Sequence, residues 1–131
     1  MSGAVSGSTG RLRVAIVGVG GRGEYMAMLV KERPEAEIVA IVDRVPRKAE
    51  WLAKRLELPG VRVFGSVEDA QAKVPFDAGM IFTSDGQHAE VAIPLLKSGK
   101  RVCCEKPLEI TAEKCRALVR ADEAAGGKTF V

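Results

Sequence analysis

Six residues, Leu12–Val17 (LRVAIV), run straight into glycines spaced as Gly18-Val19-Gly20-Gly21-Arg22-Gly23, and beyond them apolar residues recur at helical intervals. A short β-branched run of this kind suits a strand buried on both faces. The first glycine permits a tight turn, the second lets another group approach the backbone, and the third lets helix and strand pack closely. Strand, glycine turn and helix in that order commit the chain to a crossover unit, because parallel strands cannot be joined by a hairpin.

The alternation continues to the last residue. The first helix is expected from Gly21 to Arg33, with Met26, Leu29 and Val30 on its inner face and Pro34 stopping it. Glu37–Asp43 reads as a second strand and Pro46–Leu56 as a helix with proline in its first turn. Val61–Phe64 is a short third strand, and Ser66 can cap a brief helix whose Glu68 and Asp69 suit its positive end. Asp77–Thr83 is the fourth strand. His88–Ser98 is helical, with a kink expected at Pro94 and an end at Gly99. Arg101–Cys104 is the fifth strand. Thr111 caps the last helix, in which Cys115, Leu118, Val119 and Asp122 align, Asp122 being discordant with an apolar face; Lys128–Val131 begins a sixth strand. Right-handed crossovers then lead to an α/β fold, a Rossmann-type doubly wound parallel sheet in the order 3-2-1-4-5-6. A length of 131 residues is one domain, with residues 1–10 as a Ser/Gly-rich flexible tail and 11–131 as the folded unit.

Charge and cysteine usage exclude several function classes. Twenty Lys and Arg against seventeen Asp and Glu leave a net charge of +3, scattered along the chain, so neither nucleic acid nor a membrane surface is an expected partner. The longest uncharged apolar run, Val14 to Gly21, is too short to span a bilayer. The tail lacks the basic and apolar regions of a signal peptide, so a cytoplasmic location is expected. Cys103, Cys104 and Cys115 show no CxxC spacing and read as small hydrophobes in a reducing compartment, with no metal site expected.

The glycine turn also carries chemistry. Unpaired N–H groups at the start of the helix, aided by its dipole, suit phosphates, so GxGxxG after a strand points to a dinucleotide. Asp43, twenty residues beyond Gly23, can accept hydrogen bonds from ribose hydroxyls; the plainer reading is a turn residue at a strand end. Gly18 and Gly23 also satisfy GxxxxG of a Walker loop, but Glu24-Tyr25 stands where Lys and Ser or Thr are required. A methyl-donor site would share these glycines and Asp43, and only later residues separate the two. Asp43 disfavours a 2′-phosphate, which favours NAD over NADP. Arg44 and Arg47 can pair with that phosphate, so use of both remains open.

Those later residues are Thr83-Ser84-Asp85-Gly86-Gln87-His88, then AEVAIPLLKSGKRV, then Cys104-Glu105-Lys106-Pro107-Leu108. From about Arg11 to Val131 the chain resembles the amino-terminal domain of the glucose–fructose oxidoreductase / inositol dehydrogenase (Gfo/Idh/MocA) family, with Ser84 where a TPxxxH turn has proline. The resemblance implies a dinucleotide held by Gly18, Gly20, Gly21, Arg22, Gly23, Asp43, Arg44, Thr83, Ser84, His88, Glu105 and Lys106. It places Glu105 near the nicotinamide ribose. Lys106 would lie beside nicotinamide and substrate hydroxyl as the catalytic residue, on a turn with a cis Lys106-Pro107 bond. Without the upstream motifs, Glu105 and Lys106 would read as solvated surface charges. His88 is expected to pack beneath the cofactor rather than act as a base, the family's acid/base belonging to a second domain. The implied function is the cofactor half of an oxidoreductase acting on a sugar, polyol or related small hydroxyl compound. The alternative is a non-catalytic nucleotide-sensing or protein-binding module on the same fold. The chain stops early in its sixth strand, so a truncated protein without its substrate domain is expected. Negligible activity of its own follows, and an oligomer only when that domain is present.

Overall fold

The computed structural model describes residues 10–131, so the expected tail lies almost wholly outside the described residues. The elements are β1 (Leu12–Val17), α1 (Gly21–Lys31), β2 (Ala36–Val42), α2 (Pro46–Arg55), β3 (Arg62–Phe64), α3 (Val67–Lys73), β4 (Ala78–Ile81), a 3-10 turn (Asp85–Gln87), α4 (His88–Lys97), β5 (Arg101–Cys104), α5 (Ala112–Ala124) and β6 (Thr129–Phe130). All strand pairings are parallel, and the sheet order is β3-β2-β1-β4-β5-β6, as the sequence predicts.

Alternate side chains of β1 explain why both faces are covered. Val14 and Ile16 enter one core with Ile38, Ile41, Ala27 of α1, and Ala49 and Leu52 of α2. Ala15 and Val17 enter the other with Ala40, Val42, Ala70 of α3, Leu95 and Leu96 of α4, and Leu118 of α5. A fully buried leucine contributes roughly 2–3 kcal/mol over an exposed one, so these two layers dominate the stability. The chain changes faces after β3, where α3 carries it across to β4 beside β1. That exchange leaves a crevice between the carboxyl ends of β1 and β4, where ligands of doubly wound sheets bind.

Several local expectations are corrected. The inner face of α1 is made by Gly23 and Ala27, whereas Leu29 is 46% exposed. Two small residues bring the helix axis close to the sheet, and a leucine one turn further round is rotated outward. Val119 of α5 is likewise 46% exposed, leaving Leu118 as that helix's buried anchor. β2 is shifted one residue earlier than predicted and β4 is shorter, ending at Ile81, so Asp43 and Thr83 stand beyond the strand ends. The end of α4 is as the sequence predicts: the helix includes Pro94, Ser98 is its C-cap, and Gly99 at φ +81° accepts the left-handed turn that follows.

Asp122 does not conflict with its helix. One carboxylate oxygen accepts from Lys128 N at 2.8 Å and from the Thr129 hydroxyl at 2.6 Å, tying the end of α5 to β6. The Thr129 hydroxyl, with help from the backbone of residues 128 and 129, holds this carboxyl below its ordinary pKa despite partial burial. A depressed folded-state pKa contributes stability above the unfolded value, which is lost as pH falls through the folded one. Asp122→Ala is therefore expected to lower unfolding free energy at pH 7 by about 1–3 kcal/mol. The gap from wild type should narrow below about pH 4; urea unfolding at pH 7 and pH 3 checks both parts.

Candidate functional site

At the crevice, Gly18 takes φ +98°, and a Cβ there would meet the Phe82 carbonyl carbon at 2.7 Å and Thr83 N at 2.8 Å. A Cβ on Gly23 would collide with the Gly18 carbonyl oxygen. These glycines let β1, α1 and the end of β4 converge. Gly20 and Gly21 differ: a Cβ on either enters open space. No side chain caps α1, whose N-cap is Gly20, so the first-turn N–H groups of the helix are left for another acceptor.

This loop forms one wall of a cleft of about 500 Å3, also lined by Asp43, Arg44, Lys48, Ser66, Thr83 and Ser84. Asp43 is held from two directions: one oxygen accepts from Val19 N at 2.8 Å, the other from Val45 N at 2.9 Å. The same carboxylate thus joins the glycine loop to the start of α2 and keeps an acceptor at the cleft wall. Arg44 reaches across the cleft to Glu90 of α4 at 3.0 Å, an exposed pair of small energetic weight. The Thr83 hydroxyl oxygen is buried without a hydrogen-bond partner, a rare state for a polar atom. Ser84 sits at φ −59°, the value a proline ring imposes, so the backbone at this position is one that proline could also adopt.

A second group gathers where β5 ends. Arg22 Nε donates to Glu105 at 2.8 Å, while the other Glu105 oxygen accepts from Lys106 N at 3.1 Å. The Arg22 guanidinium, then the Lys106 backbone N–H, hold the Glu105 carboxyl below the usual carboxylate range. Lys106 is exposed, and its bond to Pro107 is cis, as the resemblance implies. His88 is not on the cleft wall. Its ring has no exposed surface and faces backbone carbonyls on both sides, so a direct contact with a ligand is replaced by a role within the loops.

Lys48, Ser66 and Glu90 were not singled out by sequence. Lys48 and Ser66 follow two different strands that end at the same edge, and a lone lysine or serine carries no spacing signal. The three cysteines are free; burial pushes the Cys104 thiol up to about 12, a weak nucleophile. Among the described residues no group of three or more His, Cys, Asp or Glu is arranged to hold a metal, and no helix is long and apolar enough to cross a membrane.

Residues 12–131 match the family described as an oxidoreductase family with an NAD-binding Rossmann fold. The chain belongs to the Gfo/Idh/MocA family. Inositol 2-dehydrogenase of Rubrobacter xylanophilus is 35% identical over 123 residues, which is 93% of this chain and 35% of that protein. The corresponding enzyme of Rhodococcus jostii is 35% identical over 118 residues, 89% of this chain and 32% of its own. GenD2 from gentamicin A biosynthesis, solved in complex with NAD, superposes with a TM-score of 0.82 at 29% identity, over 92% of this chain and 34% of that one. The WlbA dehydrogenase of Bordetella pertussis, solved with NADH and UDP-GlcNAcA, gives 0.81 at 27% identity, over 92% and 36%. This chain spans about a third of the length of the relatives it matches.

Within this family domain the two kinds of glycine are separable by experiment. Gly18→Ala is expected to cost at least about 1–3 kcal/mol of stability, from positive φ and a backbone collision. Gly20→Ala, with φ −118° and open space around it, should stay within about 0.5 kcal/mol of wild type. Thermal unfolding of the two variants tests the distinction.

Proposed function

We propose that this chain binds NAD, and NADP less well, as the cofactor half of a dehydrogenase that oxidises or forms a hydroxyl group on a polyol or sugar. The observation that carries the reading is the uncapped start of α1 from Gly20 to Gly23 with the Asp43 carboxylate fixed beside it. Neutral N–H groups at a helix start suit a pyrophosphate, and a carboxylate locked by Val19 N and Val45 N suits the hydroxyls of a ribose. The orphaned Thr83 hydroxyl fits a ligand that supplies its missing partner. Family membership, inositol 2-dehydrogenases as relatives, and a structural neighbour holding a nucleotide sugar support the polyol or sugar class.

When bound, a nicotinamide ring supplies the hydride acceptor or donor. The chain's own residues orient and stabilise. Arg22 and Glu105 brace the glycine loop against the β5 turn. On that turn the Lys106 ammonium is available to a substrate oxygen, whose negative charge grows as hydride leaves the adjacent carbon. A fixed cation interacts more strongly with that developing charge than with a resting hydroxyl, which lowers the barrier rather than tightening substrate binding. The remaining wall of the site and its acid/base group belong to a further domain.

Titration calorimetry of the folded chain should show weak binding of NAD, and Gly20→Ala should weaken it further with little change in stability. No heat with either NAD or NADP would refute the reading. Asp43→Ala should lower NAD affinity and shift the NAD/NADP ratio towards NADP; an unchanged ratio removes the ribose role. Where this domain operates with its substrate domain, Lys106→Met should reduce kcat on the order of a hundredfold while dinucleotide affinity stays near wild type. Steady-state kinetics with near-normal turnover would assign the chemistry to the other domain.

A further inference from the structure

Two buried polar side chains outside the cleft are left unexplained by sheet and helix packing. His88 is completely buried and Glu109 is 6% exposed. Burying such groups is costly unless they are hydrogen-bonded, and both are: His88 joins the loop after β5 to the turn after β4, and Glu109 joins that same loop to the first turn of α4. The His88 ring stands between them: Nδ1 lies 2.9 Å from the Pro107 carbonyl oxygen and 3.2 Å from that of Leu108, and Nε2 lies 3.1 Å from that of Thr83. Glu109 accepts from Ala89 N at 2.8 Å, in the first turn of α4, and from Ile110 N at 3.0 Å in its own loop. Burial alone would push the Glu109 carboxyl up, but these N–H groups and the Lys114 ammonium hold it below its ordinary value.

We infer that His88 and Glu109 are positioning residues for Lys106, together locking the turn after β5 to the turn after β4. The inference rests on the role proposed for Lys106. Residues 105–111 lie between β5 and α5 and belong to neither, so beyond the bond from Glu105 N to the Ile81 carbonyl at 3.1 Å no ladder holds the backbone that carries the lysine. What holds it is this tie, reinforced by Lys114 Nζ donating to the Gly86 carbonyl at 3.0 Å and by Ile110 packed against Gly86. The contacts flank the Lys106-Pro107 bond and end on the carbonyl of Thr83, a residue that lines the cleft. A hydrophobic residue at position 88 would fill the same space but present no ring N–H to either the Pro107 or the Thr83 carbonyl. The distance between the lysine's backbone and the cleft wall is thereby set from α4, by residues that never touch a ligand.

The test uses the 131-residue protein with His88→Phe, which keeps the bulk of the ring, and Glu109→Gln, which replaces one acceptor oxygen with a donor. Amide NMR spectra should show residues 105–110 shifted or broadened in each variant while Asp43–Val45 stay in place. AMP, which needs only the adenosine end of the cleft, should bind within twofold of wild type, whereas NAD affinity should fall at least fivefold, because the displaced turn also carries Glu105, set beside the nicotinamide ribose in the proposed reading. A general loss of structure would lower both affinities together. Equal losses for AMP and NAD, or unshifted turn signals in folded variants, overturn the inference. If the wild-type chain binds neither nucleotide, the cofactor reading fails by itself and the amide spectra still decide the tie. If neither variant folds, the wild type decides: as the only histidine, His88 should show a slowly exchanging ring N–H, and a rapidly exchanging ring overturns the inference.

Discussion

The collision-free convergence of β1, α1 and β4 governs the geometry of this domain. Gly18 lies against the backbone of Phe82 and Thr83, and Gly23 against Gly18, at separations that no side chain could share. Because the first turn of α1 can then sit directly over the end of β1, its open N–H groups point into the crevice that the strand order creates. Close packing of the helix follows from the same contact, since Gly23 and Ala27 form its inner face. The uncapped start of α1 and the close packing of the first crossover therefore have a common origin.

Around that point, charged groups brace loops as much as they present themselves to a ligand. Asp43 holds the glycine loop to α2 through two backbone N–H groups, and Arg22 and Glu105 connect the same loop to the end of β5. His88 and Glu109 connect the ends of β4 and β5 from beneath. Each element that borders the cleft is thus fastened to at least one other by a polar contact. The exposed pairs contribute little energy.

Much of the architecture was legible because its signals are local. The strand order follows from alternation and crossover handedness, and the caps Ser66 and Thr111 act within their own first turns, accepting from Asp69 N and Lys114 N. The cleft residues Gly18, Gly20, Asp43 and Thr83 were readable as well, each standing where a strand ends. Leu29 and Val119 were misplaced because periodicity gives a face but not its rotation towards the sheet. Asp122 looked out of place because its partners belong to a strand that is formed only when the sheet closes.

By itself, the sequence determined the α/β class, the order of elements, and which short stretches could accommodate a close backbone approach. These depend on conformational limits within a few residues: positive φ at glycine, the fixed φ of proline, and burial on alternate sides of a strand. The sequence already favoured a packing role for His88, but tertiary structure alone decided its partners, the carbonyls of Thr83, Pro107 and Leu108. It also brought Glu109 to the start of α4, twenty residues upstream, and set Arg22 against Glu105, eighty-three residues away. Such contacts are decided by how loops at the ends of neighbouring strands are brought together. That information is carried by the packed sheet as a whole, because no local preference of either partner encodes the other.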